Sequence, residues 1–294
     1  MFSGSMVAIV TPFKKGRIDE KAYGDLIEAQ IKGGTSALVP CGTTGESATL
    51  SHEEHRRIIE LTVRTVRGRV PVIAGTGSNS TEEAIALTRH ARRAGVDGVL
   101  LICPYYNRPT QEGLYRHFKA VAGAVDVPIV LYNIPSRTGV NMLPATVARL
   151  VEPRTGAKNI AAIKESSGSL PQISDVIRLC GDRLAVISGD DALTLPIIAL
   201  GGQGVISVAA NLIPQDCAEM VRAALKNDWD KARRLHFRMS ALVDTLFIET
   251  NPAPVKAALA LMGRCSEEVR LPLCPLSDES RAKLKKALKS YGLL

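Results

Sequence analysis

Residues 98–132 read GVLLICPYYNRPTQEGLYRHFKAVAGAVDVPIVLY. The stretch opens on a continuous apolar run, Gly98–Ile102, closes on another, Pro128–Tyr132, and carries helical patterning over Gln111–Ala124 between them. Unbroken rather than alternating hydrophobicity is what a strand buried on both faces requires, so the stretch predicts a strand, a covering helix and a second, parallel strand. The unit recurs along the chain. Further apolar runs lie at Val7–Thr11, Ala37–Pro40, Val70–Ala74, Ile160–Ile163, Leu184–Ile187 and Gly204–Val208. Helical patterns follow the runs at Glu20–Lys32, His52–Val66, Thr81–Ala94, Ala145–Leu150, Leu170–Leu179, Ala192–Ala199 and Pro214–Leu225. Eight strands, each followed by a helix, predict a closed (β/α)₈ TIM barrel over residues 1–225, with an open, doubly wound sheet as the alternative.

Three helical stretches without strands come next, Asp228–Phe247, Ala253–Met262 and Asp278–Ser290. No Pro/Gly/Ser-rich linker precedes them, so residues 226–294 are expected as a C-terminal helical appendage packed on the barrel. A chain of 294 residues that is 46% hydrophobic can bury a substantial core. Mean hydropathy is near zero and no apolar run approaches the roughly 18 residues of a membrane span. The N-terminus runs straight into a strand-like segment rather than a cleavable signal, so the cytoplasm is the expected compartment and no membrane partner is expected. Cys41, Cys103, Cys180, Cys217, Cys265 and Cys274 lie far apart with no C-x-x-C pair, and read as small core residues rather than a zinc module or a disulfide framework. The net charge of +8 comes from dispersed pairs such as Arg56-Arg57 and Arg92-Arg93, with no block or aromatic-interleaved stripe. A solvated basic surface is expected rather than a nucleic-acid partner, and its field mildly favours small anions.

Chemistry in such barrels sits at the C-terminal ends of strands. After the second run stands Gly42-Thr43-Thr44-Gly45-Glu46-Ser47, whose glycines let backbone amides converge while two hydroxyls orient a small carboxylate. On its own the motif is equally a plain βα turn. After the fifth run, Tyr132-Asn133-Ile134-Pro135-Ser136-Arg137-Thr138-Gly139 places a phenol at the strand end and a guanidinium on the loop, a proton carrier beside a carboxylate fork. The sixth run ends in Lys164 and Glu165. A lysine projecting into a closed barrel would be desolvated, which frees its amine as a nucleophile toward carbonyls; the alternative is a lysine reaching solvent. Tyr132, one strand earlier at similar depth, favours the nucleophile.

Other chemistries fare worse. The histidines, His52, His55, His90, His117 and His236, all fall in helical stretches, so a metal-dependent aldolase lacks ligands at the strand ends and no metal is expected. Gly75-Thr76-Gly77-Ser78-Asn79-Ser80 lacks the last glycine of a dinucleotide fingerprint, and no cofactor is expected. The positions after strands seven and eight, where barrels often bind phosphate, read Ser188-Gly189-Asp190-Asp191 and Ala209-Ala210-Asn211, and the two acids would repel a phosphate.

These residues resemble the pyruvate-dependent class I aldolase superfamily typified by N-acetylneuraminate lyase, and within it the dihydrodipicolinate synthases. The resemblance covers essentially the whole chain, through Phe2–Pro12, Gly42–Leu50, Val72–Gly77, Pro104–Pro109, Gln111–Phe118, Tyr132–Gly139, Ile163–Glu165, Ser188–Asp191 and Gly204–Val208. It implies that Lys164 forms a Schiff base with pyruvate, that Thr43 and Thr44 hold the pyruvate carboxylate, and that Ile206 lines the pocket through its backbone. Tyr132 would relay protons with Thr43 and with Tyr106, the last reaching across a subunit interface. Arg137 would pair with the carboxylate of aspartate semialdehyde, where sialate lyases lack a matching arginine. Ser47, Ala48, His52, His55, Asn79, Glu83 and Tyr105 match positions that bind feedback-inhibiting lysine in lysine-sensitive synthases. The resemblance also implies a homo-oligomer with a dimer as its functional minimum and commonly a tetramer. Two competitors stand beside a synthase of lysine (diaminopimelate) biosynthesis. One is a lyase or aldolase for sialic or 2-keto-3-deoxy sugar acids, the other a non-catalytic small-anion binder.

Overall fold

The computed structural model describes residues 2–294. Eight parallel strands make one sheet: β1 (Gly4–Ala8), β2 (Ala37–Val39), β3 (Ile73–Gly75), β4 (Gly98–Ile102), β5 (Ile129–Asn133), β6 (Ile160–Glu165), β7 (Ala185–Ser188) and β8 (Gly204–Ser207). Their spatial order is β2-β1-β8-β7-β6-β5-β4-β3. A parallel bridge from Leu38 to Val72 and a hydrogen bond from the Gly75 amide to the Pro40 carbonyl (2.9 Å) join β2 to β3 and close the ring. Consecutive strands are therefore neighbours throughout, as in a TIM barrel.

Side-chain alternation sorts the strands into two layers. Met6, Ala8, Ala37, Val39, Ile73, Leu100, Val130, Tyr132, Ala162, Ala185, Ile187 and Ile206 fill the lumen. Their neighbours along the strands, such as Val7, Leu38, Val99, Leu131, Ile163 and Val186, pack outward against the helices. That parity places Lys164, two residues beyond Ala162, on the lumen side and Glu165 on the helix side.

The covering helices are α1 (Glu20–Lys32), α2 (His52–Val66), α3 (Thr81–Ala94), α4 (Gln111–Ala124), α5 (Pro144–Leu150), α6 (Leu170–Cys180), α7 (Thr194–Ala199) and α8 (Pro214–Leu225). Their starts follow from capping side chains: Asp19, Ser51, Ser80, Thr110 and Ser169 each accept a first-turn amide, and Ser51 with Glu54 completes a capping box. Three helices follow, α9 (Trp229–Thr245), α10 (Ala253–Leu261) and α11 (Asp278–Tyr291). They lie on the barrel: Leu242, Val243, Leu246, Val255, Leu259, Leu284 and Leu288 join the core shared with α1–α8.

The first strand runs Gly4–Ala8 rather than Val7–Thr11. The ladder ends early because the Val10 amide donates to the Asn211 side chain and Thr11 donates through its hydroxyl to the Gly45 carbonyl. The sixth strand extends past Ile163 to Glu165, so Lys164 lies within the ladder. The third strand is shorter than Val70–Ala74, since only Val72 bridges before Ile73. A hairpin of two-residue strands, Phe13–Lys14 and Arg17–Ile18, and a one-turn helix, Pro135–Thr138, add to the expected set. Of the cysteines, Cys41, Cys103, Cys180 and Cys217 are buried, Cys265 is half-buried and Cys274 exposed; all are free.

Candidate active site

Strand register brings Tyr132, Lys164 and Ile187 side by side across β5, β6 and β7. Lys164 is 6% exposed, and its Nζ lies 4.3 Å from the centre of the Tyr132 ring. Among the described residues it has no carboxylate partner, in contrast to the other buried lysine, Lys256, whose Nζ is 2.5 Å from a Glu46 carboxylate oxygen. An unpaired buried amine costs stability, so its persistence on a strand points to chemical use. The room for it comes from Gly189 just past β7: a Cβ there would stand 2.8 Å from Lys164 Cε and 3.0 Å from its Cγ.

Thr43 and Thr44 ride on the loop after β2. Cys41 (φ 55°) and Glu46 (φ 54°) bracket it in left-handed backbone, and the Gly45 and Ser47 amides both return to the Gly42 carbonyl. The end of β3 passes so close that a Cβ on Gly75 would fall 2.1 Å from the Cys41 carbonyl oxygen. Thr44 is buried and its hydroxyl accepts from the Asn251 side-chain amide at 3.0 Å; Thr43 is half-buried and lines the cavity. Glu46 is buried too, taking the Lys256 ammonium and the Arg270 amide. Lys256 also donates to the Thr11 carbonyl, and burial holds its amine below the ordinary lysine range against the pull of Glu46.

Arg137, on the one-turn helix after β5, is exposed and donates to the Asn251 carbonyl (3.3 Å). A cavity of about 460 Å³ opens between these groups, lined by Thr43, Tyr132, Arg137 and Asn251 and continuing past Ser47, Ala48, His52, His55, Glu83 and Tyr105. Lys164 and Ile206 lie in the barrel lumen, both almost fully buried, and Lys164 stands beside Tyr132 of the cavity wall. Asn79 is not among the residues lining the cavity; its carbonyl accepts from Asn107. In the outer part Glu83 receives the Ser78 hydroxyl and lies 3.2 Å from His52 Nε2. Burial holds the His55 imidazole down at about 4, so it is neutral near pH 7. Tyr106 stands apart: it is 90% exposed with φ 70°, and it is not among the residues lining the cavity.

Several supporting residues carried no clear sequence signal. Behind Lys164, the fully buried Glu165 accepts from the Ser167 amide and from Asn133, which also donates to Asn141, itself a donor to Gln172. Burial pushes its carboxyl above the ordinary range, while those hydrogen bonds pull the other way. Asp191, expected only to repel phosphate, instead staples β7 to β8 by accepting from the Ser207 hydroxyl and the Val208 and Ala209 amides. Among the described residues, no group of three or more His, Cys, Asp or Glu side chains could hold a metal ion, and no helix is long and apolar enough to cross a membrane.

The dihydrodipicolinate synthetase family matches residues 1–291. A curated relative, the 4-hydroxy-tetrahydrodipicolinate synthase of Syntrophus aciditrophicus, is 64% identical over 294 residues, the full length of both chains. Among solved structures, the chloride-inhibited dihydrodipicolinate synthase of Acinetobacter baumannii, complexed with pyruvate, superposes with a TM-score of 0.97 at 45% identity over 100% of each chain. The dihydrodipicolinate synthase of Cyanidioschyzon merolae with lysine bound gives 0.96 at 42%, covering 100% of this chain and 99% of that one. Together with the closed barrel and the buried lysine beside Tyr132, these matches fix the assignment: the chain belongs to the dihydrodipicolinate synthetase family and is a lyase of it.

Proposed function

We propose that this enzyme condenses pyruvate with L-aspartate 4-semialdehyde to give 4-hydroxy-tetrahydrodipicolinate and water, in the cytoplasm, as a step of lysine and diaminopimelate biosynthesis. The observation that carries the reading is the unpaired amine of Lys164, buried in the barrel against the Tyr132 ring. The amine adds to the pyruvate ketone. Tyr132 protonates the departing hydroxyl, water leaves, and an imine joins Lys164 to the substrate. Its protonated nitrogen accepts the electron pair when a methyl proton is lost, giving an enamine that an unactivated pyruvate could not reach. The enamine carbon attacks the aldehyde, whose oxygen takes a proton. The amine of the second substrate then adds to the imine carbon, closes the ring and expels the Lys164 amine.

Thr43 and Thr44 hold the pyruvate carboxylate through their hydroxyls, and Ile206 borders it through its backbone. Arg137, at the cavity rim, offers a fork to the carboxylate of the semialdehyde. Tyr132 and Thr43 pass protons on to Tyr106 of the partner subunit, which makes a dimer the functional minimum and a tetramer its natural assembly. We place inhibitory lysine in the outer cavity. There Glu83 meets an ammonium, the neutral His55 adds no opposing charge, and Ser47, Ala48, His52, Asn79 and Tyr105 supply the remaining contacts. The pyruvate-complexed and lysine-bound relatives support both assignments.

The test is the steady-state rate with both substrates, followed through a coupled reductase, for the wild type and Lys164→Ala, with and without millimolar lysine. Turnover that falls by about three orders of magnitude or more in the variant is expected, as for loss of a covalent nucleophile. Lysine is expected to slow the wild type. A folded wild type that is silent here but releases pyruvate from sialic or 2-keto-3-deoxy sugar acids would move the assignment to the lyases.

A further inference from the structure

Residues 249–273 of the C-terminal appendage close over the loop that carries Thr43 and Thr44. Asn251 links this segment to both Thr44 and Arg137. Its side-chain amide donates to the Thr44 hydroxyl at 3.0 Å, and its carbonyl accepts from Arg137 at 3.3 Å. Asn251 is 6% exposed, lines the cavity, and its Oδ1 is buried without a partner among the described residues. Five residues on, Lys256 anchors the same segment to the same loop through Glu46 and to the turn after β1 through the Thr11 carbonyl.

We propose that Asn251 is a positioning residue for pyruvate: by donating to the Thr44 oxygen it turns the Thr44 hydroxyl hydrogen toward the cavity, where a carboxylate accepts it. A hydroxyl has one hydrogen and two acceptor sites. With one acceptor site filled by Asn251, the hydrogen is aimed elsewhere; with Asn251 reversed, accepting instead, the hydrogen would be consumed and the substrate would face a lone pair. The contact with Arg137 runs through the main chain and survives any side-chain replacement. The C-terminal appendage thus orients Thr44, the group for the first substrate's carboxylate, through a side chain and Arg137, the group for the second's, through its backbone, and the two effects are separable. This rests on the reading of Lys164 as the pyruvate-binding amine.

The experiment uses pyruvate alone. Borohydride trapping on Lys164, read by intact mass across pyruvate concentrations, gives a half-saturation for the wild type, Asn251→Ala, Asn251→Asp, Thr44→Val, and Thr44→Val combined with Asn251→Ala. Asn251→Ala is expected to raise half-saturation about tenfold, the scale of one hydrogen bond to a charged group. Asn251→Asp is expected to raise it further, since its carboxylate takes the Thr44 hydrogen and repels the substrate. The combined variant is expected to match Thr44→Val, because Asn251 acts only through that hydroxyl. Wild-type half-saturation in a folded Asn251→Ala, or penalties that add in the combined variant, would overturn the inference while leaving the synthase reading intact. A wild type that forms no adduct at all would bring down that reading, and the inference with it.

Discussion

Lys164 owes its position to a side chain that is absent. It projects into the lumen because β6 alternates faces, and Gly189, at the mouth of the neighbouring strand, leaves the space its methylenes occupy. The Gly189 amide donates to the Glu165 carbonyl at 2.9 Å, so the two strand ends are fastened at this point. A methyl group there would overlap the Ser166 hydroxyl oxygen at 1.8 Å and press on Lys164 Cε and Cγ at 2.8 and 3.0 Å, so both side chains must shift. The backbone at Gly189 is not left-handed, so alanine brings no φ strain and its effect falls on Ser166 and the lysine. Gly189→Ala is expected to fold with a melting temperature close to wild type and to form the pyruvate imine about 100-fold more slowly, the scale for a reacting group displaced by roughly 1 Å. Rapid-quench borohydride trapping measures that rate; an unchanged rate would show that Lys164 is not confined at this face.

The clearest coupling between elements is the fully buried pair of Lys256 on α10 with Glu46 on the loop after β2, 210 residues apart in sequence. Seven of the nine residues of α10 are buried, so Lys256 has no route to water and both its stem and its charge depend on the fit. Lys256→Met leaves Glu46 buried without its cation and is expected to cost about 3–5 kcal/mol, read as a drop in the denaturation midpoint. Pairing it with Glu46→Gln removes the stranded charge and is expected to recover most of that loss; a double variant as weak as the single would mean that the helix fit, not the charge, is decisive. This pair also marks where sequence reading ends. Helices with capping side chains and 3.6-residue periodicity, such as α2 and α4, are legible residue for residue, and the apolar runs locate the eight strands within a few positions. Residues 253–261 read only as an apolar helix, because nothing local tells a lysine in it that its partner lies on a loop near the other end of the chain. The hairpin at Phe13–Ile18 has strands too short for a period, and Asn251 precedes a helix as an ordinary turn residue would. Lys164, Tyr132 and the threonine loop were legible because chemistry in a barrel concentrates at strand ends, where a polar residue interrupts an apolar run.

At the scale of the whole molecule, Tyr106 is the residue that a single chain leaves unexplained. Its neighbours are pinned: Asn107 donates to the Asn79 carbonyl and Arg108 to the Gly139 carbonyl, each at 2.9 Å. Immediately before those anchors Tyr106 adopts φ 70°, a backbone that β-carbon-bearing residues enter at a cost, and presents a ring that is 90% exposed. A rigid loop holding an aromatic side chain away from its own cavity is what a two-fold interface would use, since symmetry then delivers each tyrosine to the other subunit's site. Subunit mixing tests this directly. Tyr106→Phe subunits keep Lys164 but offer no phenol to a partner, and Lys164→Ala subunits offer the phenol but lack the amine. Each variant alone is expected to be nearly inactive. When the two are unfolded, mixed in equal amounts and refolded, half the dimers are hybrids and each hybrid contains one complete site, so activity is expected to return to about a quarter of wild type. If Tyr106 served the cavity of its own chain, no hybrid would contain a complete site and mixing would restore nothing. If the phenol were dispensable, Tyr106→Phe would be active before mixing and dilution with the second variant would only lower its rate. The three outcomes separate an interface-borne proton carrier from a local one and from a bystander.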